Sequence, residues 1–120
     1  MSHKGIEQRK WPRLPLKLNV EFSALEEPVF QGTGITANVS AGGAYFHTPD
    51  WGALKIGRKL DLRLSGFGAY DTGTLFRSLK GKATVLRLDI PKPTDPTYPR
   101  ASVAIEFFER PSVEVYSFAK

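Results

Sequence analysis

Leu16-Lys17-Leu18-Asn19-Val20-Glu21-Phe22 decides the fold class. Its apolar residues, Leu16, Leu18, Val20 and Phe22, alternate with Lys17, Asn19 and Glu21. A period of two suits a strand with one buried face and does not suit a helix. The alternation returns at Lys59-Leu60-Asp61-Leu62-Arg63-Leu64 and at Val103-Ala104-Ile105-Glu106-Phe107. Ala83, Val85 and Leu88 mark another strand, in which Arg87 breaks the period as a register change or an edge does. Gly43 to Thr48 is a short strand with Ala44 and Phe46 on one face and Tyr45 and His47 on the other. Val29 to Ala37 is extended and interrupted by Gly32 and Gly34, the pattern of a bulged or sharply coiled strand.

Turn signals separate these runs. Pro49-Asp50-Trp51-Gly52 and Ile56-Gly57 bracket a short loop, and Ser65-Gly66-Phe67-Gly68 through Asp71-Thr72-Gly73 reads as a longer excursion. Pro91-Lys92-Pro93-Thr94-Asp95-Pro96 is a stiff loop, because each proline fixes its own φ and extends the residue before it. Pro111 to Phe118 reads either as a last strand, with Val113, Val115 and Ser117 on one face, or as one helical turn started by Ser112. No stretch carries a long helical period. Six short strands in about 100 residues predict an all-β fold, a small six-stranded antiparallel barrel whose closure leaves no open sheet edge.

A chain of 120 residues with 41% hydrophobic content and eight phenylalanines is expected to fold as one domain with its own core. It has no cysteine, which excludes disulfides and thiolate chemistry and fits a reducing compartment. No run of eighteen apolar residues exists, and Met1-Ser2-His3-Lys4-Gly5 is not the start of a secretory signal. No membrane span and a cytoplasmic location are therefore expected. Residues 1–20 hold Lys4, Arg9, Lys10, Arg13 and Lys17 against Glu7, which is +4 of the total +5. A basic arm on a near-neutral body suggests one local anionic partner rather than a long polymer track. The chain divides accordingly into a flexible basic arm over residues 1–13 and a barrel over residues 14–118.

Two short motifs carry chemistry. In Arg9-Lys10-Trp11-Pro12-Arg13, two guanidinium forks stand four residues apart, and Pro12 argues against a continuous helix. Each fork can bond two phosphate oxygens or the O6 and N7 acceptors of a guanine, and its flat face can stack on a purine. In Asn38-Val39-Ser40-Ala41-Gly42-Gly43, Asn38 offers an amide donor and acceptor and Ser40 a hydroxyl. Gly42 and Gly43 can take positive φ and leave room for a ligand. The structural alternative is a tight turn capped by Asn38 or Ser40.

In this order the two motifs resemble those of the PilZ domain, the bacterial receptor module for cyclic di-GMP. Arg9 to Arg13 is similar to the family's Arg-x-x-x-Arg arm. Asn38, Ser40 and Gly43 match its Asp/Asn-x-Ser-x-x-Gly motif. Gly81 to Arg87 and Val103 to Phe107 are similar to later barrel strands, so the resemblance runs over about residues 7–108. It implies a six-stranded barrel that binds cyclic di-GMP between arm and strand motif. Arg9 and Arg13 would hold phosphate and a guanine edge. Asn38 and Ser40 would bond the other guanine or the ribose-phosphate, and Gly43 would permit close approach. Gln8, Lys10, Gly42 and Arg87 are further candidates for ligand contact. Gln8 stands where many relatives carry another arginine, which bears on affinity and on whether one or two ligand molecules are held. The C-terminal helix common in the family is short or absent here.

The implied function is a receptor that orders its arm on ligand binding and signals to a protein effector, as a monomer or a ligand-linked dimer. No cofactor is expected beyond the ligand. One alternative is a protein-interaction module that keeps the fold without nucleotide. The other is a single-stranded nucleic-acid barrel using Trp11, Tyr45, Phe46 and Trp51, which the near-neutral body disfavours. No enzyme is expected. Asp50, Asp61, Asp71, Asp89 and Asp95 are scattered, His3 and His47 make no zinc set, and Ser40 has no histidine partner in sequence.

Overall fold

The computed structural model describes residues 17–40, 42–70 and 73–119, with residues 67–70, 73–77 and 114–119 as backbone. Seven strands follow in order: β1 (Asn19–Ala24), β2 (Gln31–Val39), β3 (Gly43–Thr48), β4 (Lys59–Tyr70), β5 (Gly73–Asp89), β6 (Ala101–Phe107) and β7 (Ser112–Ala119). All pairings are antiparallel. The sheet runs β4-β1-β2-β3-β6-β5 and closes through β4–β5, and β7 adds to β5 outside the closed barrel.

Alternation builds the core. Val20 and Phe22 of β1, Leu60, Leu62 and Leu64 of β4, and Val103 and Ile105 of β6 are all buried. Phe46 of β3 is fully enclosed and packs against Phe22, with ring centroids 5.8 Å apart. Each such side chain contributes about 1.5–3 kcal/mol on leaving water. At one end of the barrel Arg58 donates from Nη2 to the Glu26 and Pro28 carbonyls, both at 3.0 Å, and its guanidinium lies 4.9 Å from the Phe30 ring centroid. This ties the β1–β2 loop to the turn before β4.

Two expectations need correction. The excursion predicted over Ser65–Gly73 is a hairpin: β4 continues to Tyr70 and β5 starts at Gly73, paired without interruption. Gly66 reads as a turn residue but sits in the ladder, where a Cβ would come within 2.6 Å of Leu18 Cδ2. The strand read as bulged or sharply coiled over Val29 to Ala37 does carry a bulge, at Ala37, and Gly32 and Gly34 lie in its regular part. Those glycines make room for packing: a Cβ at Gly32 would lie 2.5 Å from the Phe22 ring, and one at Gly34 would run into the His47 carbonyl. Of the two readings of the C-terminus, the strand holds, and the barrel's six strands are joined by a seventh.

Candidate ligand-binding face

Two bulges build this face. In β2, Thr36 pairs with Phe46 and Asn38 with Tyr45, so Ala37 is the extra residue. In β5, Val85 pairs with Ile105 and Arg87 with Ala104, so Leu86 is the extra residue. Thr36 and Val85 are buried. Strict alternation would therefore send Asn38 and Arg87 into the core as well. Each bulge reverses the phase, so Val39 turns inward while Asn38 lies opposite Tyr45 on the outer wall. Leu88 packs against the core while Arg87 turns out.

The register then aligns one row across four strands: Asn38, Tyr45, Ala104 and Arg87. Directly opposed residues share a face. Ala104 raises no side chain between Tyr45 and Arg87, and the Arg87 guanidinium carbon lies 5.7 Å from the Tyr45 ring centroid. The next row is Ile35, His47, Ser102 and Asp89. His47 Nδ1 lies 3.1 Å from Ser102 Oγ, and its ring meets Tyr45 edge-on at 5.5 Å. Arg87 Nε is 3.6 Å from Asp89 Oδ2, with both side chains more than 60% exposed. Such a pair is weak, so Asp89 does not hold the Arg87 guanidinium firmly. The wall thus offers an amide, an aromatic face and a guanidinium within one row.

Ser40 lies at the rim of the same wall. Its Oγ accepts the Gly42 and Gly43 N–H groups, both at 3.2 Å, and its own N–H donates to the Gly43 carbonyl at 2.9 Å. A hydroxyl has two acceptor sites and one proton. Both acceptor sites are used here, and the proton has only a long contact of 3.4 Å with the Gly43 carbonyl. Among the described residues that proton has no shorter contact. Gly43 does not take positive φ, contrary to expectation. Its missing Cβ is required by the barrel itself, because a Cβ would run into the Ile105 carbonyl of β6.

Beside this wall an open groove of about 1090 Å³ is lined in part by Lys17, Ile35, His47, Pro49, Pro99 and Arg100. Trp51 donates from Nε1 to the carbonyl of Pro99, one of the lining residues, at 2.8 Å. The structure therefore brings Asn38, Ser40, Gly42, Gly43 and Arg87 to one wall. Gln8, Arg9, Lys10 and Arg13 lie outside the described residues, as do Trp11 and Asp71. Sequence reasoning did not assign Tyr45 or Ser102 to the ligand face; the period break at Arg87 was the available signal. Among the described residues no three His, Asp or Glu side chains converge as a metal site.

A closed six-stranded antiparallel barrel with an Asn-x-Ser-x-x-Gly turn on its outer wall defines the class of module. The chain belongs to the PilZ domain family, whose model matches residues 7–114. These domains are binding modules, not a known class of enzyme. Among solved structures the chain is similar to the Bacillus subtilis inhibitor of motility (MotI/DgrA), with a TM-score of 0.63 and 22% identity. That likeness covers 88% of this chain and 44% of the Bacillus protein, so this chain spans less than half of its length. At this identity the likeness concerns the fold. No curated protein matches the sequence.

Proposed function

We propose that the domain is a bacterial cytoplasmic receptor for cyclic di-GMP that signals to a protein effector. The observation that supports this most is the outer-wall row, in which two bulges bring Asn38 and Arg87 into line with Tyr45 beside the Ser40 turn. Asn38 bonds a guanine edge, Ser40 donates a hydrogen bond from its hydroxyl to a ribose-phosphate oxygen, and Tyr45 with Arg87 forms a stacking wall. Arg9 and Arg13 reach from the arm to grip phosphate and the second guanine edge. With Gln8 in place of a further arginine, one ligand molecule is held. Binding orders the arm across the wall, offsetting its entropy with charge-assisted hydrogen bonds, and the ordered arm presents a new surface to the effector.

The nucleic-acid reading loses two of its aromatics. Phe46 is fully buried and Trp51 is tied to Pro99. The test of the receptor reading is a map of NMR shift changes on adding cyclic di-GMP. The amides of Asn38, Ser40, Gly43, Tyr45 and Arg87 should move together with those of Arg9 to Arg13. Changes confined to the outer faces of β1 and β4 would contradict the assignment.

A further inference from the structure

Closing a barrel removes its sheet edges, but this chain adds a strand outside the closure. β5 runs for 17 residues; Ala83–Asp89 pair with β6, while Gly73–Lys80 leave the barrel between β4 and β7. Among the described residues β7 pairs with β5 alone, and no described strand lies along its other edge. Proteins protect such edges with proline, lysine, bulges or short strands. Ser112-Val113-Glu114-Val115-Tyr116-Ser117-Phe118-Ala119 has no proline and no lysine, and Glu114 is its one charge. Its eight-residue register with β5, from Lys80–Ser112 to Gly73–Ala119, contains no bulge. Val113 is 63% exposed.

We propose that this edge pairs with the same edge of a second copy, joining two three-stranded wings into one continuous sheet. Two antiparallel strands related by a two-fold axis are self-complementary and close the assembly. With the axis at Val115, Glu114 stands opposite the partner's Tyr116 and no like charges meet. The other edge unpaired among the described residues, β4 beyond Ser65, offers five residues of which Gly66 and Gly68 are glycines. Pairing β7 to that edge would be head-to-tail and open-ended. The proposed dimer needs no nucleotide, so it stands or falls separately from the receptor reading.

The test is sedimentation velocity of the full chain over a concentration series without ligand. A reversible dimer is expected. Val115→Lys, which sets two ammonium groups across the axis, should weaken it by up to about fivefold. The chain has no cysteine, so Val115→Cys, Val113→Cys and Phe118→Cys each report one position on oxidation. Cross-linking should peak at Val115→Cys, and this readout decides should Val115→Lys disturb the wing itself. A monomer at every concentration, or a dimer with no cross-linking preference for Val115→Cys, would overturn the proposal.

Discussion

Gly43→Ala separates a structural glycine from a ligand-clearance glycine. An added Cβ would run into the Ile105 carbonyl oxygen and lie 3.2 Å from Glu106 Cα, both in backbone of β6. Backbone cannot rotate aside as a side chain can, so β3 and β6 must move apart where Gly43 pairs with Glu106. Overpacking of this kind costs about 1–3 kcal/mol. The shift also loosens the bond from the Phe107 N–H to the Gly42 carbonyl, now 2.9 Å, worth about 1 kcal/mol. The total is about 2–4 kcal/mol, and at roughly 4 °C per kcal/mol the melting temperature should fall by roughly 8–16 °C. Thermal melting followed by circular dichroism measures this, with urea unfolding as the check that the m-value is unchanged. An unaltered melting temperature, with only ligand affinity lost, would refute the reasoning and make Gly43 a clearance residue.

Other substitutions separate binding from stability in different ways. Asn38→Ala acts on the outer wall, so cyclic di-GMP affinity should drop about tenfold or more while the melting temperature stays nearly constant; equilibrium dialysis and a melt on the same sample test this. Tyr45→Ala removes the ring over which Arg87 lies at 5.7 Å, and affinity should fall by about two- to fivefold. Arg58→Ala breaks two bonds to the Glu26 and Pro28 carbonyls. It should cost about 1–3 kcal/mol and speed hydrogen exchange at Ala24, whose N–H donates to the Phe30 carbonyl, without touching the ligand wall.

The barrel was legible where one face of a strand is buried and the other wet. β1, β3, the first half of β4 and β6 all show this, and Val20, Phe46, Leu62 and Val103 are core residues as their alternation predicts. The wing was hidden because Gly66, Gly68 and Gly73 carry the composition of a turn, and only the pairing of β4 with β5 makes them ladder residues. Composition marked β2 as bulged or sharply coiled without placing the bulge at Ala37, whereas Arg87 betrayed the bulge beside it by breaking the apolar period. Asn38, Ser40 and Gly43 were legible as a motif. Their separate tasks were not. Ser40 holds the turn with its acceptor sites and Gly43 makes way for β6, and both depend on neighbours that the local sequence does not name. Tyr45 was read only as a stacking aromatic of the nucleic-acid alternative, because only the four-strand register brings it between Asn38 and Arg87.

The most direct test of the receptor reading is isothermal titration calorimetry of the whole chain with cyclic di-GMP, run beside Arg9→Ala and Asn38→Ala. The account predicts saturable binding at one ligand per chain, lost or severely weakened in both variants although they act from different parts of the chain. No binding by the unsubstituted protein, or equal binding by all three, would contradict it.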